Sequence, residues 1–246
     1  MNSLKQFNGK HTLGLVTARK GSKGIPGKNI RSLCGKPLVT YTLEAAMDSH
    51  HLSRCVVSTD DEELATLAKD HGAEVPFMRP AALAQDESLQ ISVVQHALEW
   101  IRKNEGVEYD YVMILQPTSP LRIARDIDAC IEKIVHTGAD SVMSVMELED
   151  FAIKKLLKIE DDRLSALLPD FSEAKIPTPR QSLGRVYKRN CAVYLSKTEC
   201  IARGEYFGQT CLPYLMPVER SVDINRPVDF DLAEFWLRKM HAVQGA

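Results

Sequence analysis

The sequence predicts an α/β fold: a doubly wound, mostly parallel sheet with a small excursion appended. Short β-branched runs alternate with helical stretches through the first half, the rhythm of β-α-β units with right-handed crossovers. One run, Tyr111–Leu115 (YVMIL), is apolar throughout, as a strand covered on both faces should be. A glycine-rich, cationic segment follows the first run directly, at the end of the sheet where ligands bind in such folds.

Taken in order, Thr12–Thr17 (TLGLVT) reads as the first buried strand. Residues 37–49 read as a helix with Pro37 near its first turn, where a missing N–H costs little. Arg54–Ser58 (RCVVS) is the next strand. Residues 61–71 form a helix whose acidic first turn suits the helix dipole, and Gly72 stops it. Residues 74–78 read as a short strand. Residues 88–103 form a long helix with Ile91, Val94, Ala97, Leu98 and Ile101 on one face. After Tyr111–Leu115 come a helix at 123–137 and a strand at 140–145.

The rhythm then breaks. Residues 146–185 carry charges, prolines and weak periodicity, with strands expected at 154–159 and 186–195. Long loops in compact domains are usually functional or disordered, so this segment is a candidate subdomain or dimer arm; the plainer reading is a surface excursion. A helix at 228–243 comes last.

Composition narrows the classes. The chain has 246 residues, 44% hydrophobic and 26% charged, the balance of a globular protein. A formal net charge of −2 gives no global basic field for nucleic acid, and there is no platform of interleaved aromatic and basic residues. No apolar run approaches the roughly 20 residues that span a membrane. The first ten residues are polar and lack the apolar core of a secretion signal. The six cysteines show no C-x-x-C spacing and read as buried thiols of a reducing, cytoplasmic compartment.

The loop from Ala18 to Asn29 carries the chemistry. It holds three glycines, four cations, one serine and one asparagine. Glycines let the backbone approach a ligand and turn its N–H groups toward an anion. Arg19, Lys23 and Lys28 can neutralise a triphosphate, Arg19 with a planar fork of donors. A Walker loop is excluded, because five residues separate Gly21 from Gly27 and Asn29 follows the lysine. A dinucleotide fingerprint is excluded, because Gly24-x-x-Gly27 has no glycine two residues before it.

At this loop the sequence resembles the CMP-acylneuraminate synthetases, or acylneuraminate cytidylyltransferases. Arg19 to Asn29 reproduces their opening motif, close to A-R-x-G-S-K-G-I-P-x-K-N. Further blocks follow in order: Gly35-Lys36-Pro37-Leu38, Val57-Ser58-Thr59-Asp60, residues 79–86 from Arg79, and residues 115–122 from Leu115. Pro179-Arg180-Gln181, Asn190-Cys191-Ala192-Val193-Tyr194 and Ser221-Val222-Asp223-Ile224-Asn225 complete the series.

The resemblance implies a Rossmann-like nucleotidyltransferase that moves CMP from CTP to the anomeric hydroxyl of a nine-carbon acidic sugar, with Mg²⁺ assisting and pyrophosphate leaving. It implies a homodimer, with no nucleic-acid or membrane partner. Residues 11–145 would bind the nucleotide, 146–195 would serve the sugar and the dimer, and 196–243 would complete the core. Arg19, Ser22, Lys28 and Asn29 would hold phosphates and ribose, with Lys23 an auxiliary cation. Arg79 would sit near the triphosphate, and Ser88 and Gln90 at the cytosine edge. Gln116, Lys154, Arg180, Tyr194, Tyr206 and Phe207 would meet the sugar, the aromatics partly from a second subunit. Asp223 would be the principal metal ligand. Asp60 reads instead as the N-cap of the following helix.

Two positions depart from the family. Asn225 stands where a second aspartate is common; its amide oxygen can ligate Mg²⁺ but adds no charge, leaving Asp229 or Asp231 to supplement Asp223. Cys191 stands where glycine is common, and its Cβ opposes positive φ. The alternatives are a catalytically impaired nucleotide binder of the same fold and a cytidylyltransferase for an eight-carbon acid sugar. The wording Lys23-Gly24-Ile25-Pro26 favours the nine-carbon branch.

Overall fold

A computed structural model describes residues 5–21, 24–148, 156–168 and 185–244. In chain order these form β1 (Thr12–Thr17), β2 (Ser32–Leu33), β3 (Lys36–Pro37), α1 (Leu38–Met47), β4 (Arg54–Ser58), α2 (Glu62–Asp70), α3 (Gln90–Glu105) and β5 (Tyr111–Leu115). Then follow α4 (Ala124–Thr137), β6 (Ser141–Glu147), β7 (Leu157–Glu160), β8 (Arg163–Ala166), β9 (Tyr187–Lys197), α5 (Thr198–Ala202), β10 (Cys211–Leu215) and α6 (Pro227–Gln244).

Six strands form the central sheet in the order β10-β6-β9-β5-β1-β4. All run parallel except β9, which is antiparallel to both β5 and β6. The excursion therefore returns into the middle of the sheet, and residues 187–195 of the segment expected to serve the sugar lie there. Side chains alternate between the two faces, as strand pleating requires. Val16, Val57, Met113 and Leu115 pack with α1, α2 and α4, while Leu13, Leu15, Val112 and Ile114 pack with α3 and α5. A third cluster joins α6 to Ile25, Leu121, Val222 and Ile224, which places the last helix against the loops above the sheet.

Some expectations give way. Residues 74–78 make only an isolated bridge, Glu74 to Val56, because Pro76 has no N–H to give a ladder. An unforeseen strand, β10, pairs with β6 at the sheet edge, the place where its Pro213 is tolerated. Of the six cysteines, Cys55, Cys130 and Cys200 are buried; Cys34 and Cys211 are exposed and Cys191 is half-buried. Among the described residues no helix is long and apolar enough to cross a membrane.

Leu15 is fully buried between the sheet and α3. Leu15→Ala should cost about 2–5 kcal/mol by chemical denaturation, from lost transfer energy plus a cavity. A loss below about 1 kcal/mol would mean that this face of the sheet is not close-packed.

Candidate active site

The glycine-rich loop is held at both ends. Where it leaves β1, Ala18 N donates to Ser58 O at 3.1 Å and Lys20 N donates to Asp60 Oδ1 at 2.9 Å. Asp60 thus ties the loop to the end of β4. The N-cap of α2 is Asp61, whose carboxylate accepts from Glu63 N at 3.1 Å, so the expected role of Asp60 falls one residue later. Gly27, at φ 62, turns the chain into the short 3-10 helix Lys28–Ile30. A Cβ on Gly24 would stand 3.0 Å from Asn225 O, so glycine lets the loop lie against the segment that carries Asp223. Lys28 Nζ donates to Ile224 O at 2.9 Å, and Ile224 N donates to Thr118 O at 2.8 Å. Three segments far apart in sequence are joined by these two bonds.

Above the carboxyl ends of β1 and β5 lies a cleft of about 350 Å³. It gathers Arg19, Lys28, Asn29, Arg79, Ser88, Gln90 and Gln116, all expected from the sequence. Arg79 is buried, with Nε donating to Ser58 Oγ at 3.0 Å and Nη2 to Ser58 O at 2.6 Å. Burial pulls its guanidinium down to about 10, so it stays charged at neutral pH. Burial also lowers Lys28 below its ordinary 10.5, against the pull of Asp223. Asn29 Nδ2 donates to Arg19 O at 3.1 Å, and Gln90 Nε2 to Thr17 Oγ1 at 3.3 Å. Ser88 Oγ donates to Ala82 O at 3.0 Å on the exposed rim. Three cations on a shared concave surface make an anion site.

Asp223 stands just beyond the cleft. Its Oδ2 accepts from Asn225 Nδ2 at 2.8 Å, while its Oδ1 is buried without a hydrogen-bond partner. A buried carboxylate oxygen left without a donor is costly, and a cation would satisfy it. Asn225 therefore orients Asp223 through its amide nitrogen. Asp229 Oδ2 accepts from Asn225 N at 2.9 Å and Arg226 N at 2.7 Å, which commits Asp229 to the turn into α6; Asp231 is exposed. No group of three or more His, Cys, Asp or Glu side chains suited to a metal occurs among the described residues.

Beside Asp223, Cys191 takes φ 62, the conformation its Cβ opposes, at a cost of about 1 kcal/mol. It lies in a bulge where the β6–β9 register shifts between Met143 and Val145. Tyr194 Oη donates to Cys191 Sγ at 3.2 Å. Burial, with Asp223 adding to it, pushes the Cys191 thiol up and makes it a poor nucleophile.

Not every expected residue converges here. Tyr206 and Phe207 lie at the opposite end of the sheet: their carbonyls accept from Ser196 Oγ at 2.5 Å and Ser141 Oγ at 2.8 Å, where β9 ends and β6 begins. They do not line the cleft of their own chain, because the connection into β10 starts from that far end. Ser22, Lys23, Lys154 and Arg180 lie outside the described residues.

Sequence reasoning missed two buried groups. Arg122 is 2% exposed, with Nε donating to Ala192 O at 2.9 Å and Nη2 to Gln116 O at 2.9 Å. Asn190 is 1% exposed and bonds to β6 and to Ser221. No local signal marks them: Asn190 follows Lys188-Arg189 and Arg122 follows a polar, proline-rich turn, and only the partners that a buried polar group must find identify them.

Arg19 Nη2 lies 2.6 Å from Asp86 Oδ1, so an entering anion competes with this carboxylate. Asp86→Asn should tighten binding of inorganic triphosphate by up to about 5-fold at low salt, less at high salt. Weaker binding in this variant would show that Asp86 helps hold the anion.

A family model described as cytidylyltransferase matches residues 13–210. CMP-N,N'-diacetyllegionaminic acid synthase of Legionella pneumophila is 33% identical over 228 residues, covering 90% of this chain and 94% of that one. N-acylneuraminate cytidylyltransferase A of Danio rerio is 34% identical over 232 residues, 94% of this chain but 52% of that longer one. A solved structure of CMP:2-keto-3-deoxy-manno-octonic acid synthetase complexed with CTP aligns with TM-score 0.66 at 17% identity, over 94% of this chain and 99% of that one. That last likeness shows the fold alone. With its family motif spanning most of the sheet and both relatives aligned along nearly its whole length, the chain belongs to the cytidylyltransferase family.

Proposed function

We propose that this chain transfers CMP from CTP to the anomeric hydroxyl of a nonulosonic acid, releasing pyrophosphate. The observation that carries the reading is the convergence of Arg19, Lys28 and Arg79 on one cleft, with the unpartnered Asp223 oxygen beside it. The names of the relatives, an N,N'-diacetyllegionaminic acid synthase and an N-acylneuraminate cytidylyltransferase, support an acceptor of this class.

Nucleotidyl transfer needs alignment and charge neutralisation more than covalent help. Arg19, Lys28 and Arg79 lie along the triphosphate and meet the negative charge that grows on the departing pyrophosphate. Held by Ser58 and Ile224, Arg79 and Lys28 need little reorganisation as that charge develops. Asn29, with Ser22 and Lys23, serves the phosphates and ribose. Ser88 and Gln90 offer a hydroxyl and an amide to the cytosine edge. Gln116 and Tyr194 face the acceptor, with Lys154 and Arg180 supplying positive charge for its carboxylate.

The donor set fits Mg²⁺, which takes one or two carboxylates and fills its remaining positions with water and phosphate oxygens. Asp223 Oδ1 would hold the ion, with Asn225 fixing the carboxylate's orientation. Bound there, Mg²⁺ supplies Lewis-acid withdrawal of charge from the phosphate oxygens.

The homodimer is part of the proposal. In the β7–β8 hairpin, Ile159 pairs with Leu164 and Leu157 with Ala166, which puts all four on one face. Leu157, Ile159 and Leu164 are 54%, 72% and 68% exposed in the single chain. A second copy would cover this face and bring Tyr206 and Phe207 of one subunit to the acceptor of the other. Light scattering should give a dimer at micromolar concentration, and Ile159→Asp with Leu164→Asp a folded monomer. A wild-type monomer contradicts this part of the reading.

Incubating the chain with CTP, Mg²⁺ and a panel of nonulosonic acids should release pyrophosphate and give a CMP-sugar by mass. No release at any Mg²⁺ level rejects the function. The alkaline limb of kcat/KM for CTP should follow Lys28, whose free-enzyme pKa lies below 10.5. Its charge is present below that pKa and lost above it, so activity falls as pH rises. Lys28→Arg stays charged and should keep activity through that limb; an identical limb in both proteins would assign it elsewhere.

A further inference from the structure

We propose that Asn190 is a positioning residue that holds the Asp223 carboxylate in place through Ser221; this rests on Asp223 being the metal ligand. Asn190 has both ends of its amide committed. Its Oδ1 accepts from Ser144 Oγ at 2.5 Å and Ala192 N at 3.3 Å, and its Nδ2 donates to Ser221 Oγ at 2.9 Å. Ser221 Oγ in turn donates to Pro217 O at 2.8 Å. Its main chain is used too, with Ser119 Oγ donating to Asn190 O at 3.3 Å. Its four polar side chains are buried: Ser144 is 0% exposed, Ser119 0%, Asn190 1% and Ser221 8%.

Ser221 lies two residues before Asp223, and the next anchored residue is Ile224, fixed by Thr118 and Lys28. Asp223 is therefore strung between two tethers. The downstream tether belongs to the glycine loop. The upstream one belongs to the sheet itself, because Ser144 sits in β6 and Asn190 in β9. Burying an amide gains little net stability over an apolar side chain of the same shape. A fully satisfied buried network does fix a unique geometry, however, and here it fixes the segment whose buried carboxylate oxygen has no hydrogen-bond partner. Groups that orient a ligand commonly affect metal affinity by about 10–100-fold.

The test uses the full chain and CTP titrated calorimetrically with and without Mn²⁺. The ratio of the two dissociation constants is the metal-dependent gain, which needs no turnover. Ser221→Ala should cut that gain by about 10-fold while leaving the metal-free constant within about 2-fold. Asn190→Ala should do the same, and the double variant should be no worse than either single one, since both act on a single link. A folded Ser221→Ala with the wild-type gain overturns the proposal, including the case in which Asn190→Ala is too unstable to assay. Asp223→Asn separates the two levels. If it loses the gain while Ser221→Ala keeps it, only the positioning role fails. If it keeps the gain, the metal reading of Asp223 fails and takes the positioning role with it.

Discussion

The hydrogen bond from Lys28 Nζ to Ile224 O, at 2.9 Å, is the contact on which the rest of the site depends. It fastens a cation of the first loop to a segment almost two hundred residues later, one peptide away from Asp223. Gly24 eases this approach, since a Cβ there would lie 3.0 Å from Asn225 O and push the two backbones apart. The approach of two backbones thus sets where charge of each sign can stand. Lys28 is also partly desolvated there, and a cation that has already lost water has less to lose when an anion arrives.

The sheet supplies the remaining constraint. β9 enters antiparallel between β5 and β6, so its first residues reach the same end of the sheet as the loops after β1 and β5. Within the bulge, Asn190 bonds to Ser144 and Ser221, and Tyr194 Oη donates to Cys191 Sγ. Arg122, buried with no carboxylate in hydrogen-bonding distance among the described residues, directs its donors to Ala192 O, Gln116 O and Thr42 Oγ1. A charge in such a place is expensive unless its nitrogens find acceptors, and these bonds lock the Gln116 loop to β9.

Much of this was legible in the sequence where the signal is local. β1, β4 and β5 were readable to the residue because each has an apolar centre bounded by polar residues. The cationic loop was readable because glycines and lysines at that density have few other uses. Legibility fails where partners are remote. Asn190 meets Ser144 at 46 residues' separation and Ser221 at 31, and Arg122 meets Ala192 at 70; no local pattern announces such pairs. The antiparallel insertion of β9 could not be read either, since periodicity identifies a strand and not its neighbours. Tyr206 and Phe207, which the resemblance places at the sugar partly from a second subunit, lie at the other end of their own sheet, where the path of the chain into β10 starts. Cys191 shows the reverse. Its side chain was expected to resist positive φ, and it adopts φ 62 regardless, because the bulge requires that turn.

The most direct measurement is a crystal structure of the chain soaked with CTP and Mg²⁺. The triphosphate should lie in the cleft against Arg19, Lys28 and Arg79, with the metal ion on Asp223 Oδ1. Nucleotide density elsewhere, with this cleft empty and Asp223 Oδ1 still without a partner, would contradict the joining of loop and aspartate into one site.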